Sequence, residues 1–141
     1  MRPDFVLVSP TPTNMDLAGY RRGFTDAASN LVSGLGIHRP RLLVMVSSTR
    51  VYSECDGGWV EESSPLTATD QRGMAIVDAE RQFLDSGHAA SVVRCGGIYG
   101  ATAGRLLNKI TQGRVAPAQP LRYTNRIHRD DCARFLEHLI Q

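Results

Sequence analysis

Several features that mark other classes of protein are scarce or missing in this sequence. Aromatic residues make up only 6% of the 141 positions, with a single tryptophan. No apolar run reaches the roughly eighteen residues that a membrane-spanning helix needs. The formal net charge is only +2 and the arginines are scattered, which argues against a nucleic-acid-binding face. These absences favour a single globular domain over residues 1–141, in the cytoplasm and without a membrane or nucleic-acid partner.

Cysteine is scarce as well. The chain has three cysteines, Cys55, Cys95 and Cys132, an odd number without a CxxC pair, which predicts neither a disulfide framework nor a zinc ribbon. His128 and Cys132 stand four apart, as two ligands on one helix face would, but no second pair accompanies them. We therefore predict no metal site, and we expect Cys95 and Cys132 to pack as small apolar side chains.

A glycine-rich phosphate loop is also missing near the N-terminus. No Gly-x-Gly-x-x-Gly follows an early strand, although this motif brings backbone N–H groups against a dinucleotide pyrophosphate. The segment 96–100 looks similar, but Cys95 stands where the first glycine is required and no strongly apolar helix follows. A phosphate-binding loop at 96–100 remains the alternative, and a lone glycine cluster is weak evidence for it.

The elements that the sequence does predict are strands alternating with helices. Near-continuous apolar runs at 4–9 and 41–46 indicate buried parallel strands, the first of them central in its sheet. Further patterns predict helices over 16–34 and 69–86, a surface loop over 53–65, a third strand at 91–94, a short helix at 105–111 and a last helix capped by Asp130. This order predicts an α/β, Rossmann-like parallel sheet with flanking helices.

Four segments carry a more specific pattern, namely 46–52, 72–80, 93–100 and 125–133. Together they resemble the short-chain dehydrogenase/reductase superfamily, in its extended NAD-dependent epimerase/dehydratase branch. The resemblance implies that the chain is the C-terminal part of an NAD(P)-binding Rossmann-like domain. It also implies that the chain is truncated at the N-terminus and lacks the glycine-rich βαβ unit.

One of these segments departs from the family pattern. In the family it reads Tyr-Gly-x-x-Lys, with Glu four residues later, whereas Arg72 and Ile76 stand here at the Tyr and Lys positions. This departure resembles the atypical, YeeZ-like members. In active relatives the Tyr is the acid/base, the Lys lowers its pKa, and a Ser or Thr orients the substrate oxygen, for which Ser48 is the counterpart. Arg72 cannot act as a general base, but it could bind an anion through two parallel hydrogen bonds.

The candidate catalytic residues are therefore Ser48 and Arg72. Ligands of open α/β sheets bind beyond the carboxyl ends of the strands. By resemblance, the segments at these ends would border the nicotinamide and ribose of NAD or NADP, with the candidate cofactor-binding residues Ser9, Pro10, Thr11, Ser47, Gly96, Gly97 and Ile98. The structural alternatives are serines that satisfy backbone groups, an Arg72 on a solvated helix face, and a His128 that marks a strand-to-helix corner.

Two functions follow from this reasoning. The first is an NAD(P)-binding, epimerase/dehydratase-like protein that acts on or binds a small polar, sugar-nucleotide-like ligand. The second is a non-catalytic sensor or protein-interaction subunit with the same fold, which the missing Tyr and Lys favour. In the family, the helices at 16–34 and 69–86 commonly pack against their copies, so the resemblance also implies a homodimer.

Overall fold

The computed structural model describes residues 2–67, 69–101, 104–114 and 123–141. They form two compact units, Met1–Arg94 and Cys95–Gln141, and each is described by itself. Strands and helices alternate in the chain, and both described sheets contain parallel strand pairs. This confirms the α/β, Rossmann-like fold class. A single domain over residues 1–141 stays a prediction.

The first unit is built on a three-stranded sheet. Its strands are β1 (Phe5–Val8), β2 (Leu42–Ser48) and β3 (Ala90–Cys95), in the order β1-β2-β3. Strand β1 runs parallel to β2, with Val8 opposite Met45. The expectation of a central β1 is wrong for the described sheet, where β1 lies at the edge and Leu7 is 44% exposed. An apolar run indicates which faces are buried, but it does not say whether both strand edges are paired.

The predicted helix over 16–34 is present, in three consecutive segments. These are α1 (Leu17–Tyr20), a π-helical turn (Arg21–Asp26) and α2 (Ala27–Leu35). Asp16 caps the start, because its Oδ1 accepts a hydrogen bond from the Gly19 N–H at 2.6 Å. The π turn was not predicted, since the apolar spacing of a helix does not reveal one local change in its hydrogen bonding.

The predicted helix over 69–86 forms α3 (Gln71–Leu84), with Asp70 as its N-cap. Its inner face supplies Ile76 and Phe83 to the core of the first unit, where both side chains are about 1% exposed. Tyr20 and Phe24 from the first helix belong to the same core. The loop over 53–65 was predicted correctly, and it contains no helix or strand. Among the described residues, no helix is long and apolar enough to cross a membrane.

The second unit contains two short parallel strands and two helices. These are β4 (Gly97–Tyr99), α4 (Arg105–Thr111), β5 (Arg126–His128) and α5 (Arg129–Leu139), with Ile98 opposite Ile127 in the strand pair. Helix α4 has the predicted bounds. The strands were missed, because three residues are too few to show a hydrophobic period.

The N-cap of α5 differs from the prediction. The cap is His128 and not Asp130, because His128 Nδ1 accepts the hydrogen bond from the Asp130 N–H at 3.3 Å. Strand β5 runs directly into the helix, which places His128 at the corner. Asp130 and Asp131 then lie in the first turn, where their negative charges interact favourably with the positive end of the helix dipole.

Candidate functional site

The carboxyl ends of β1 and β2 form one edge of the sheet in the first unit. Since Val8 lies opposite Met45, the residues that follow each strand leave the sheet on the same side. Ser9 and Thr11 are exposed there, and Ser48 is half-buried. This edge is where open α/β sheets bind ligands.

Ser48 lies where β2 turns into a short 3-10 helix (Thr49–Val51). Its Oγ accepts a hydrogen bond from the Arg50 N–H at 3.2 Å, so the hydroxyl caps this turn. A hydroxyl that accepts through its oxygen can still donate its proton to another group. Ser48 therefore caps the turn through its oxygen, and its hydroxyl can still donate a hydrogen bond to a ligand.

Ser47 points to the opposite face of β2, into the protein. Its Oγ donates to Glu80 Oε1 at 2.5 Å, and both residues are buried. Adjacent residues of a strand face opposite sides of the sheet, which explains why two neighbouring serines have different surroundings. The Ser47 side chain is bonded within the protein, and its assignment to a cofactor stays a prediction.

Glu80 joins Ser47 to a buried ion pair that sequence reasoning missed. Arg94 Nη2 lies 2.9 Å from Glu80 Oε2, and Arg94 Nη1 donates to Tyr52 Oη at 3.3 Å and to the Glu62 carbonyl at 2.9 Å. The hydrogen bond to Glu80 raises the pKa of the Arg94 guanidinium above its usual value, although burial opposes this. The signal in the sequence was an arginine at the end of an apolar strand, beside a helix with one glutamate on its inner face.

The two positions that replace the family's proton-transfer pair have different environments. Arg72, in the first turn of α3, donates from Nη1 to the Met15 carbonyl at 3.1 Å. Ile76, one turn later, is 1% exposed and belongs to the hydrophobic core. The Arg72 side chain thus contacts the segment just before α1, whereas the Ile76 side chain packs inside the first unit.

Arg72 also belongs to a cationic cluster around Tyr20. The Cζ atom of Arg72 lies 5.9 Å from the centre of the Tyr20 ring, and the Cζ atom of Arg50 lies 5.7 Å from it. Arg50 Nε pairs with Asp70 Oδ2 at 2.7 Å. No sequence pattern indicated this cluster, because its members come from three separate elements.

The candidate residues of the second unit lie on β4 and just before it. Gly97 and Ile98 are exposed, and Gly96 packs closely on Asn125, the residue just before β5. A Cβ atom on Gly96 would lie 2.7 Å from the Asn125 carbonyl oxygen, so no larger residue fits without movement. This close packing explains why glycine stands at position 96, without any need for a bound phosphate. The assignment of 96–98 to the cofactor stays a prediction.

A cavity of about 610 Å³ opens within the second unit, beside β4 and α4. Its walls are mainly apolar, with Ile98, Leu107 and Ile110 among the lining residues. Lys109, Arg126 and Arg129 add three positive charges to the lining. Such a cavity suits a ligand that has both an apolar or ring-shaped part and an anionic group.

Cys95 and Cys132 also meet within the second unit. Their Sγ atoms are 3.6 Å apart and both residues are buried, in agreement with the expected packing role. Burial raises the pKa of the Cys95 thiol to about 11, and the neighbouring Cys132 adds to this. In the described part of the chain, no three His, Cys, Asp or Glu side chains gather as a metal site requires.

Solved structures with this fold include proteins linked to NAD-dependent epimerases. A protein from Methylobacillus flagellatus, provisionally assigned as an NAD-dependent epimerase/dehydratase, matches with a TM-score of 0.76 and 30% identity, over 99% of this chain and 48% of its own. A conserved protein of unknown function from Silicibacter pomeroyi DSS matches with a TM-score of 0.67 and 28% identity, over 94% of this chain and 45% of its own.

A more distant structure shares the fold alone. The UDP-glucuronic acid 4-epimerase of Bacillus cereus, solved with UDP-glucuronic acid and NAD, has a TM-score of 0.75 at 15% identity, over 91% of this chain and 44% of its own. The chain thus spans about half the length of these solved proteins. No protein-family model and no curated protein matches the sequence.

The fold and the sequence lead to the same family. The parallel sheet, the two long helices and the strand-to-helix corner at His128 carry the four segments of the family pattern in order. The structural match extends over nearly the whole chain. This chain belongs to the short-chain dehydrogenase/reductase superfamily.

Proposed function

We propose that this chain forms the ligand-facing part of an NAD(P)-binding protein of the epimerase/dehydratase type, which binds a small polar, sugar-nucleotide-like molecule. The observation that carries this proposal is the shared edge of β1 and β2, with Ser9 and Thr11 exposed and the Ser48 hydroxyl able to donate. The similarity to an epimerase solved with NAD and a UDP-sugar supports it.

The residues present fit part of a dinucleotide. Ser9 and Thr11 are exposed at the sheet edge of the first unit, where their hydroxyl groups could bond to the ribose or amide of a nicotinamide. Ser47 would contribute only through its backbone, because its hydroxyl is bonded to Glu80. When bound, a nicotinamide would supply hydride transfer, and the residues of this chain would hold and orient it.

The chain lacks the proton-transfer pair of its active relatives at positions 72 and 76. Ser48 would donate a hydrogen bond to a ligand oxygen, while Arg72 stays charged and removes no proton. We therefore propose ligand binding together with redox turnover that is weak compared with relatives that keep both the Tyr and the Lys.

A fluorescence titration tests the cofactor proposal. NADH and NADPH would be added to the 141-residue chain and, in parallel, to a version extended upstream of Met1. We expect the extended version to bind if the added segment supplies a glycine-rich phosphate-binding unit, because its backbone N–H groups hold the pyrophosphate. Failure of both versions to bind either nucleotide at micromolar affinity would overturn the proposal.

A non-catalytic sensor or interaction subunit is the second candidate. Two observations favour it: Ile76 has no ionisable group and is inside the core, and Arg72 stays charged and donates to the Met15 carbonyl, so neither side chain transfers a proton. This candidate predicts no nicotinamide turnover with the extended protein over a broad panel of sugar nucleotides. Robust turnover with any of them would exclude it.

We also propose that the protein is a homodimer through the helices at 16–34 and 69–86. In the described part of these helices, a surface groove between α2 and α3 is lined mainly by the polar residues Ser29, Ser33, Arg81, Gln82, Asp85 and Ser86. A dimer through this groove would be held largely by hydrogen bonds and ion pairs. Sedimentation equilibrium is the test, and a well-folded monomer at all concentrations would contradict the proposal.

A further inference from the structure

Tyr20 is a buried aromatic residue whose hydroxyl has no hydrogen-bond partner among the described residues. The residue is only 7% exposed, so most of its ring lies inside the first unit. The hydroxyl is nevertheless not sealed from solvent, since His88 Nδ1 is the one fully buried side-chain N or O atom without a partner in the described part of the chain. A polar atom of this kind, at the end of a buried ring, is available to a ligand.

Two guanidinium groups approach the same ring. The Cζ atoms of Arg50 and Arg72 lie 5.7 Å and 5.9 Å from its centre. An arginine beside an aromatic ring loses part of its conformational freedom, but its N–H groups can still donate hydrogen bonds. Both guanidinium groups thus lie around the ring of Tyr20, and the three side chains form one cluster in the first unit.

The positive charge of this cluster is only partly neutralised. Asp70 pairs with Arg50 through Nε, at 2.7 Å. Arg72 has no carboxylate partner among the described ion pairs, and its side chain donates to the neutral Met15 carbonyl. The Nη atoms of Arg50 and the Nε and Nη2 atoms of Arg72 donate no hydrogen bond within the part of the chain that the structure describes. Four nitrogen atoms with N–H donors therefore remain for a ligand.

We propose that Tyr20, Arg50 and Arg72 form an oxyanion-binding site that holds a carboxylate or phosphate group of the small-molecule ligand. Guanidinium groups match both oxyanions in geometry and bind them through charge-assisted hydrogen bonds. The Tyr20 hydroxyl adds a neutral donor. The site rests on the proposed function only for the identity of the whole ligand, since the oxyanion chemistry comes from these three residues.

The proposed oxyanion-binding site lies next to the carboxyl end of β2, where Ser48 is located. Arg50 follows Ser48 by two residues, on the 3-10 turn that Ser48 caps. A ligand whose oxygen accepts a hydrogen bond from Ser48 could extend its anionic group to Arg50. The replacement of the family's Tyr by Arg72 would then exchange a proton-transfer group for a second anchor of the ligand.

The test uses the 141-residue chain and simple anions without a dinucleotide. Inorganic phosphate, D-glucuronate and uncharged D-glucose would be titrated while the arginine Nε–Hε signals are followed by NMR. We expect saturable shifts of Arg50 and Arg72 with at least one anion and none with glucose. A stronger response to glucuronate would identify a ligand carboxylate, and a stronger response to phosphate would identify a phosphate group.

Three variants and a matched control complete the test. Arg72→Gln should weaken anion binding about tenfold or more, and Tyr20→Phe should weaken it by about two- to tenfold, because charged donors contribute more than neutral ones. Arg72→Lys should recover part of the affinity by restoring the charge. Arg39→Gln changes an exposed arginine that contacts only local carbonyls and should leave the affinity unchanged.

Two results would overturn the proposal. One is anion binding that Arg39→Gln weakens as much as Arg72→Gln does, since this would indicate a general charge effect. The other is the absence of saturable shifts with both anions while urea denaturation shows that the chain is folded. Because no dinucleotide is present, either result leaves the NADH titration as an independent test of the proposed function.

Discussion

Glu80 and Arg94 form an ion pair inside the first unit, with 2.9 Å between Oε2 and Nη2. The side chains are only 2% and 17% exposed, respectively. Ser47 donates to the same carboxylate, and Tyr52 accepts from the same guanidinium. This network ties α3 to strands β2 and β3, next to the edge that carries Ser48.

Removing the charge of Glu80 should destabilise the first unit. In Glu80→Gln the largely buried Arg94 loses its compensating charge, and we expect a loss of about 3 kcal/mol in the free energy of unfolding, measured in urea. Glu62→Gln is the control, because Glu62 is exposed and binds Arg94 only through its backbone carbonyl. Equal stability of the two variants would contradict a structural role of the pair.

The two neighbouring serines should respond differently to the loss of their hydroxyl. Ser47→Ala leaves the buried Glu80 with one donor fewer and should cost about 1–3 kcal/mol of stability. Ser48→Ala removes only a cap of a short turn and should cost about 0.5–1 kcal/mol. Urea denaturation of both variants measures the difference. If Ser47→Ala instead kept full stability and lowered the affinity for NADH, the cofactor role would be favoured.

Restoring the family's lysine should not be tolerated at position 76. Ile76 is 1% exposed in the core, so Ile76→Lys would bury an unpaired ammonium group and should cost several kcal/mol of stability. Ile76→Leu conserves the volume and should cost less than about 1.5 kcal/mol. Thermal unfolding of both variants is the measurement, and a stable Ile76→Lys protein would show that the position can face solvent.

The thiol of Cys95 should make stability depend on pH in the alkaline range. Its pKa in the folded protein is raised to about 11, whereas an unfolded thiol has a pKa of about 8.5. The contribution of the neutral thiol is therefore complete below the unfolded pKa and is lost as the pH rises through about 11.

Replacement by alanine isolates this contribution from other groups that titrate at alkaline pH. Between pH values of about 8.5 and 11, the free energy of unfolding should fall less steeply in Cys95→Ala than in the wild type. Cys55→Ala is the control, because Cys55 is exposed. Identical pH profiles of the wild type and Cys95→Ala would contradict the raised pKa.

The sequence alone determined the order and type of the long elements. Apolar spacing over nineteen residues identified the first helix, and the same argument identified α3, because a repeated period is a strong local signal. Strand β2 was identified by its near-continuous apolar run. The motif around Ser48 and the departure at Arg72 were also visible, since they depend only on which residues follow one another. Short strands and the His128 cap were beyond this reasoning, because they depend on few residues.

The tertiary structure decided what each side chain near the site contacts. The sequence shows an arginine at the end of a strand and one glutamate on α3, but only the packing shows that Arg94 reaches Glu80. Likewise, only the packing brings Arg50 and Arg72 to Tyr20 from different elements. Ser47 and Ser48 show the same difference between what the sequence reveals and what the tertiary structure reveals. The sequence identified both as candidates, but only the pleat of β2 directs one hydroxyl to buried Glu80 and the other to the turn at Arg50. Periodicity reports the burial of a face, whereas contacts between distant residues depend on how the elements pack.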